Sequence, residues 1–186
     1  MDKVLFDQVS TKLLEKDSLL IAIEGSCASG KTTLAKFFEE KFDCNIIHMD
    51  DFFLPFEKRS EERTKEIGGN IDYERFFNEV VSNIKNDVSF SYGKFSCSEG
   101  KINETIELIP KKLTVIEGVY SMHPKFGDVY DLKIFIDIDE ETQLKRLKNR
   151  SPEKLERFIK EWIPMENSYF EKFGIKEKCD IVLVNY

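Results

Sequence analysis

Gly25-Ser26-Cys27-Ala28-Ser29-Gly30-Lys31-Thr32 follows the apolar run Leu19-Leu20-Ile21-Ala22-Ile23 and precedes a helix-like segment from Thr33 to Lys41. The spacing G-x-x-x-x-G-K-[ST] has a mechanical reason. Glycine and small side chains let successive backbone N–H groups turn inward around phosphate oxygens, and the following helix adds its positive N-terminal end. A plain Gly-rich turn can match so loose a pattern by chance, but a strand before and a helix after are the context a phosphate-binding loop requires. Gly25, Ser26, Cys27, Ala28, Ser29, Gly30, Lys31 and Thr32, with Thr33 at the helix start, are therefore expected to hold nucleotide phosphates. Lys31 is the cation expected to reach the terminal phosphates during catalysis. Thr32 would offer its hydroxyl to Mg2+, a hard ion that prefers oxygen ligands.

Outward from this loop the chain alternates strand and helix. Leu5, Val9 and Leu13 recur at helical spacing before it, and Ile46 to Met49 forms a second apolar run that enters Asp50-Asp51-Phe52-Phe53. Leu113 to Ile116 leads into Glu117-Gly118, Lys133 to Ile138 into a basic helix, and Ile181 to Val184 supplies a fifth strand. Strands apolar on both faces, alternating with helices, predict an α/β fold. It is a five-stranded, mainly parallel sheet covered by helices, with ligands at the carboxyl ends of its strands. Val88 to Cys97 and Ile102 to Ile109, around Ser98-Glu99-Gly100, predict a small antiparallel hairpin over residues 88–109. Phe56 to Asn70 is charged and without apolar period, and reads as a mobile loop. Asp72 is a plausible N-cap for a helix from Tyr73 to Lys85.

The 186 residues fit one domain over 1–186, and a hydrophobic fraction of 41% suffices for one core. A net charge of −7 argues against a nucleic-acid partner held by a broad basic surface, so any anionic ligand must be met by local cations. Cys27, Cys44, Cys97 and Cys179 are scattered, with His48 and His123 the only histidines, and suggest neither a zinc site nor a disulfide framework. The expected compartment is a reducing cytoplasm, and oxidation of Cys27 would need a lowered thiol pKa. No stretch approaches the length of a membrane span, and the start lacks a signal-peptide apolar core, so no membrane partner is expected. A homo-oligomer is compatible with these features.

Three carboxylates are expected beside the loop: Asp50 and Asp51 after the second strand, and Glu117 after the third. Magnesium-dependent phosphoryl transfer is mostly positioning and charge neutralisation, plus a base for the attacking hydroxyl. Either Asp50 or Asp51 fits the base, since a strand end aims one neighbour into the cleft. Glu117 fits the metal or its water; capping a helix is the bland alternative for each. Residues 140–160 carry Lys145, Arg146, Lys148, Arg150 and Arg157. Arg146 and Arg150, four apart on one face, suit a helical lid over the triphosphate. Tyr92 or Phe95 on the hairpin offers a ring to stack on a substrate, or belongs to the core. Glu24, directly before the loop, has no evident reason from sequence.

Together, Gly25 to Thr32, Met49-Asp50-Asp51-Phe52-Phe53, Asp72-Tyr73-Glu74-Arg75-Phe76, Val115-Ile116-Glu117-Gly118-Val119 and the arginines after Asp137 resemble the uridine kinase and nicotinamide riboside kinase group of P-loop kinases. The resemblance runs from about Leu19 to Asp180, with the motifs in the family's order. It implies a P-loop NTPase fold with the loop-bearing strand central, and ATP and Mg2+ as cofactors. It also implies transfer to the primary hydroxyl of a nucleoside. Asp50 rather than Asp51 is then the base. Asp72 becomes a ribose ligand, Phe53 a wall of the nucleoside pocket, Glu117 the metal's acidic partner, and Arg146 and Arg150 lid residues. Where uridine kinases usually present a histidine on the hairpin, Tyr92 to Cys97 offers none. A kinase for another alcohol, of the pantothenate or sugar-phosphate type, and a nucleotide-dependent regulatory switch are the alternatives. Against a GTPase switch, no N-K-x-D stretch is present.

Overall fold

A computed structural model describes residues 3–86 and 88–185. Helix α1 (Lys3–Glu15) leads into strand β1 (Leu19–Gly25), and helix α2 (Lys31–Lys41) into β2 (Cys44–His48). Two short helices follow, α3 (Glu61–Lys65) and α4 (Tyr73–Phe76), then the hairpin β3 (Phe90–Ser96) and β4 (Lys101–Leu108). The chain continues through β5 (Leu113–Glu117), β6 (Leu132–Asp137), α5 (Glu140–Arg150), a short α6 (Leu155–Arg157), α7 (Ile163–Phe173) and β7 (Ile181–Val184).

The main sheet has the order β2-β5-β1-β6-β7, and each neighbouring pair is parallel. The loop-bearing β1 is thus central, as the resemblance implied. All seven of its residues are buried, because helices cover both faces. Leu19, Ile21 and Ile23 point to one face, where Leu5 and Val9 of α1 and Leu34 and Phe38 of α2 complete a core. Leu20 points to the other, among Ile47, Ile116, Phe135 and Tyr169. With a period of two, Glu24 falls on this second face, beneath α7.

The antiparallel pair is separate from the sheet. Tyr92 of β3 packs on Phe52, ring centroids 5.1 Å apart, and Phe52 meets Phe76 edge-on at 4.9 Å. Two expectations need correction. Residues 56–70 are folded rather than a featureless loop: Ser60 caps α3, and Arg63 lies 3.5 Å over the Tyr73 ring and donates to the carbonyls of Gly69 and Ile71. The helix expected to Lys85 keeps α geometry only to Phe76 and passes into a π turn at Phe77–Val81. A similar π turn, Phe158–Trp162, joins α6 to α7.

Candidate active site

The parallel register fixes the site. Glu117 is level with Ile23 on one neighbouring strand and His48 on the other, so the loop after β1, the acid at the end of β5 and the turn after β2 emerge side by side. Loop residues Gly25 and Gly30 have φ of 137° and 111°, and Ala28 has 62°. At Gly25 this is also a packing demand, since a Cβ there would stand 2.4 Å from the Ile136 carbonyl oxygen. Gly30 precedes α2 without any side-chain cap, leaving the helix's first N–H groups for an anion. Lys31 is buried and donates to the carbonyls of Gly25 and Ser26, both at 2.8 Å. Those residues fit a nucleotide's phosphates: uncapped helix amides and a cation beside them.

Thr32 donates from its hydroxyl to Glu117 Oε1 at 3.0 Å, and His48 Nδ1 lies 2.7 Å from the same oxygen. The bond to Glu117 raises the His48 pKa, against the opposing effect of burial. The described residues contain no group of three His, Cys, Asp or Glu side chains that would cage a metal. A hydroxyl and a carboxylate in contact beside a phosphate seat do fit Mg2+, which keeps water and phosphate oxygens in its shell.

Asp50 and Asp51 separate cleanly. Met49–Phe52 forms a 3-10 turn, which sends successive side chains in different directions. Asp50 lines the cleft, exposed to solvent but ringed by protein, and that surrounding low-dielectric volume pushes its pKa above the ordinary value; Lys31 opposes the rise and Glu117 adds to it. Asp51 is 7% exposed and accepts from the Tyr92 hydroxyl at 3.1 Å. Arg75 holds the turn in place by donating to the Asp51 carbonyl at 2.6 Å and to that of Gly93 in β3.

The cleft, about 1710 Å³, brings together Lys31, Thr32, Thr33, Asp50, Phe53 and Glu117 with Cys27, Ala28, Gly30, Arg146 and Arg150. Arg146 donates to the Ala28 and Ser29 carbonyls at 3.3 and 3.4 Å, joining α5 to the loop, while Arg150 lies 5.6 Å over Phe158. Gly25, Ser26 and Ser29 shape the loop without lining the cleft. Two acceptor-side residues lie off its wall. Asp72, 3% exposed, caps α4 through the Arg75 N–H and accepts from Lys58 at 3.1 Å. Tyr92 is buried in the core, and Phe95 rather than Tyr92 reaches the cleft. Burial, with Glu166 adding, pushes the Cys27 thiol up to about 12, which removes the thiolate that oxidation requires.

Several site residues were not legible from sequence. Glu166 of α7 accepts the Cys27 N–H at 2.8 Å, and Gln143 of α5 donates to the Cys27 carbonyl at 3.0 Å. Asn185, after β7, donates to the Ser29 carbonyl at 2.6 Å. Glu24 is fully buried and takes bonds from Tyr169 at 3.1 Å, Met122 N–H at 3.2 Å and Ser121 at 3.3 Å; burial pushes its pKa up to about 7. No periodicity or spacing marks these residues.

A parallel sheet with a phosphate loop on its central strand, acids at the neighbouring strand ends and an arginine-bearing helix beside the loop define a P-loop kinase-like α/β protein. The chain belongs to the phosphoribulokinase/uridine kinase family, whose sequence profile matches residues 20–154. It is 31% identical over 147 residues to the uridine kinase of Clostridium botulinum strain Okra, covering 70% of this chain and 68% of that one. With the uridine kinase of Clostridium perfringens strain ATCC 13124 it shares 27% identity over 187 residues, covering 90% and 88%. The fold matches a possible uridine kinase from Bacillus stearothermophilus at a TM-score of 0.67, 18% identity and coverage of 96% and 98%. It also matches D-glycerate 3-kinase from Cryptococcus neoformans at 0.57, 14% identity and coverage of 88% of each chain. The family makes this chain a phosphotransferase. No described helix is long and apolar enough to cross a membrane.

Proposed function

We propose that the protein uses ATP and Mg2+ to phosphorylate the primary hydroxyl of a nucleoside or related small alcohol. The observation that carries this reading is the convergence of Lys31, the Thr32–Glu117 pair and Asp50 on one cleft at the carboxyl edge of the sheet. The acceptor hydroxyl gives its proton to Asp50 as its oxygen bonds to the terminal phosphorus, and the bond to the bridging oxygen breaks to leave ADP. Lys31 leaves the loop carbonyls to follow the transferring charge, and Arg146, bonded to the loop, and Arg150 line the same cleft. Thr32 and Glu117 would hold Mg2+, whose charge neutralises the phosphate oxygens. The raised Asp50 pKa makes it a stronger proton acceptor than an ordinary carboxylate. The nucleoside as acceptor is supported by the uridine kinase relatives and by Phe53 on the cleft wall. Measuring ADP formation with a panel of ribosides and other alcohols tests the reading, and ATP binding without transfer to any of them overturns it in favour of a regulatory switch.

A non-nucleoside alcohol is the second reading. It is favoured by Asp72, whose carboxylate is engaged by Lys58 and Arg75 away from the cleft, and by Arg59 and Lys154 on the cleft wall, which suit an acidic acceptor. Thermal-shift screening of uridine, pantothenate and sugar phosphates separates the two, since only a ligand stabilises the fold by mass action.

A further inference from the structure

Cys27 is the third residue of the phosphate loop, and both of its backbone polar groups are taken by helices remote in sequence. Its carbonyl accepts from Gln143 at 3.0 Å, and its N–H donates to Glu166 Oε2 at 2.8 Å. Glu166 is no surface residue swinging inward. It is 7% exposed, and one turn along α7 the Tyr169 hydroxyl donates to the buried Glu24 at 3.1 Å, so the helix is anchored to the end of β1 on both sides of the loop's first residues. Burial raises the Glu166 pKa, and the Lys31 charge and the Cys27 N–H oppose that rise; Lys31 itself lies against the loop carbonyls. A carboxylate oxygen and a phosphoryl oxygen are equivalent acceptors for a backbone amide, and loop amides together with the loop lysine are what a phosphate loop offers an anion. Glu166 therefore supplies the loop with the kind of negative partner that a donor phosphate supplies. Two anions cannot share one amide without repulsion.

We propose that Glu166 is a positioning residue that competes with a donor phosphate for the Cys27 amide, shaping the loop and lowering its nucleotide affinity at the same time. The proposal rests on the nucleotide reading of residues 25–32. The test compares the parent protein with Glu166→Gln, which keeps the shape and an acceptor oxygen without the charge, and Glu166→Ala. Calorimetry measures binding of the non-hydrolysable ATP analogue AMP-PNP with Mg2+, and thermal melts are recorded with and without saturating analogue. A competitor predicts tighter binding in both variants, by about tenfold for the alanine. Without analogue, Glu166→Ala melts below the parent; at saturation the two melt together, because the contact is then absent from both. Unchanged or weaker binding, or an equal drop in melting temperature in both conditions, overturns the proposal, since a purely structural brace behaves that way. Should the alanine variant not fold, the affinity of Glu166→Gln alone decides. A parent that shows neither heat nor thermal shift with the analogue overturns the nucleotide reading itself, and the proposal with it.

Discussion

The hydroxyl of Thr32 and the carboxylate of Glu117 meet at 3.0 Å, joining the first turn of α2 to the end of β5, 85 residues later. Both groups offer oxygen ligands, and under the proposed function they would hold Mg2+. Glu117→Gln is expected to lower kcat by about 10²–10³, with a smaller change in nucleotide affinity, because the loop amides remain. Chelation of Mg2+ should abolish turnover in the parent. Steady-state kinetics over a magnesium titration checks both, and a variant with parental kcat at all concentrations removes Glu117 from the metal.

Asp50 and Asp51 are neighbours with opposite surroundings, so their variants should part company. Asp50→Asn is expected to lower kcat by about 10²–10⁴ while the protein melts near the parent. Asp51→Ala strips the buried Tyr92 hydroxyl of its acceptor and is expected to cost about 1–3 kcal/mol of stability. Turnover measured beside chemical denaturation distinguishes them; Asp50→Asn with full substrate-dependent activity ends the base assignment.

Arg75 connects the Asp50-bearing turn to the hairpin through the carbonyls of Asp51 and Gly93, with its guanidinium 4.4 Å from the Phe52 ring. Arg75→Met keeps the bulk and removes the donors. The carbonyls of Asp51, buried, and Gly93, part-buried, lose their partner, for an expected loss of about 2–4 kcal/mol in urea denaturation. Turnover should fall as well, since Asp50 rides on that turn.

Two buried groups set opposing pH trends. Glu24 is raised from 4.5 to about 7, so its contribution to stability is complete below about 4.5 and is lost as pH rises through about 7. Burial lowers His123 from 6.5 to about 4, so its contribution is complete above about 6.5 and is lost as pH falls towards about 4. Each is on the order of 2–3 kcal/mol, and between the two ordinary values they partly cancel. Glu24→Gln should therefore show a steeper rise of melting temperature with pH across that window than the parent. His123→Phe should show a shallower one. Parallel curves for all three proteins would contradict these assignments.

The sheet was legible because its evidence is local: apolar runs ending in Gly25, Asp50 and Glu117 need no distant partner to be recognised. The loop-to-acid geometry followed from parallel register. What escaped was everything whose meaning lies in a partner far along the chain. Glu166 looks like one more helical glutamate until Cys27, 139 residues earlier, is found against it, and Glu24 is explained only by Tyr169, 145 residues later. Segment 56–70 read as unstructured because its order comes from Arg63 reaching Tyr73, Gly69 and Ile71 rather than from any apolar period. Asp72 carried two meanings, and the capping one is visible in its bond to the Arg75 N–H.

The hairpin stands apart from the main sheet and touches it through the turn at Met49–Phe52, with Tyr92 against Phe52 and Asp51. Inheritance can therefore act on two parts at different rates. Substitution of Phe95, the β3 residue on the cleft wall, would reshape the cleft and leave β1, α2 and the phosphate loop as they are. The wall of the cleft can vary in this way while the strand-end acids and the loop stay fixed.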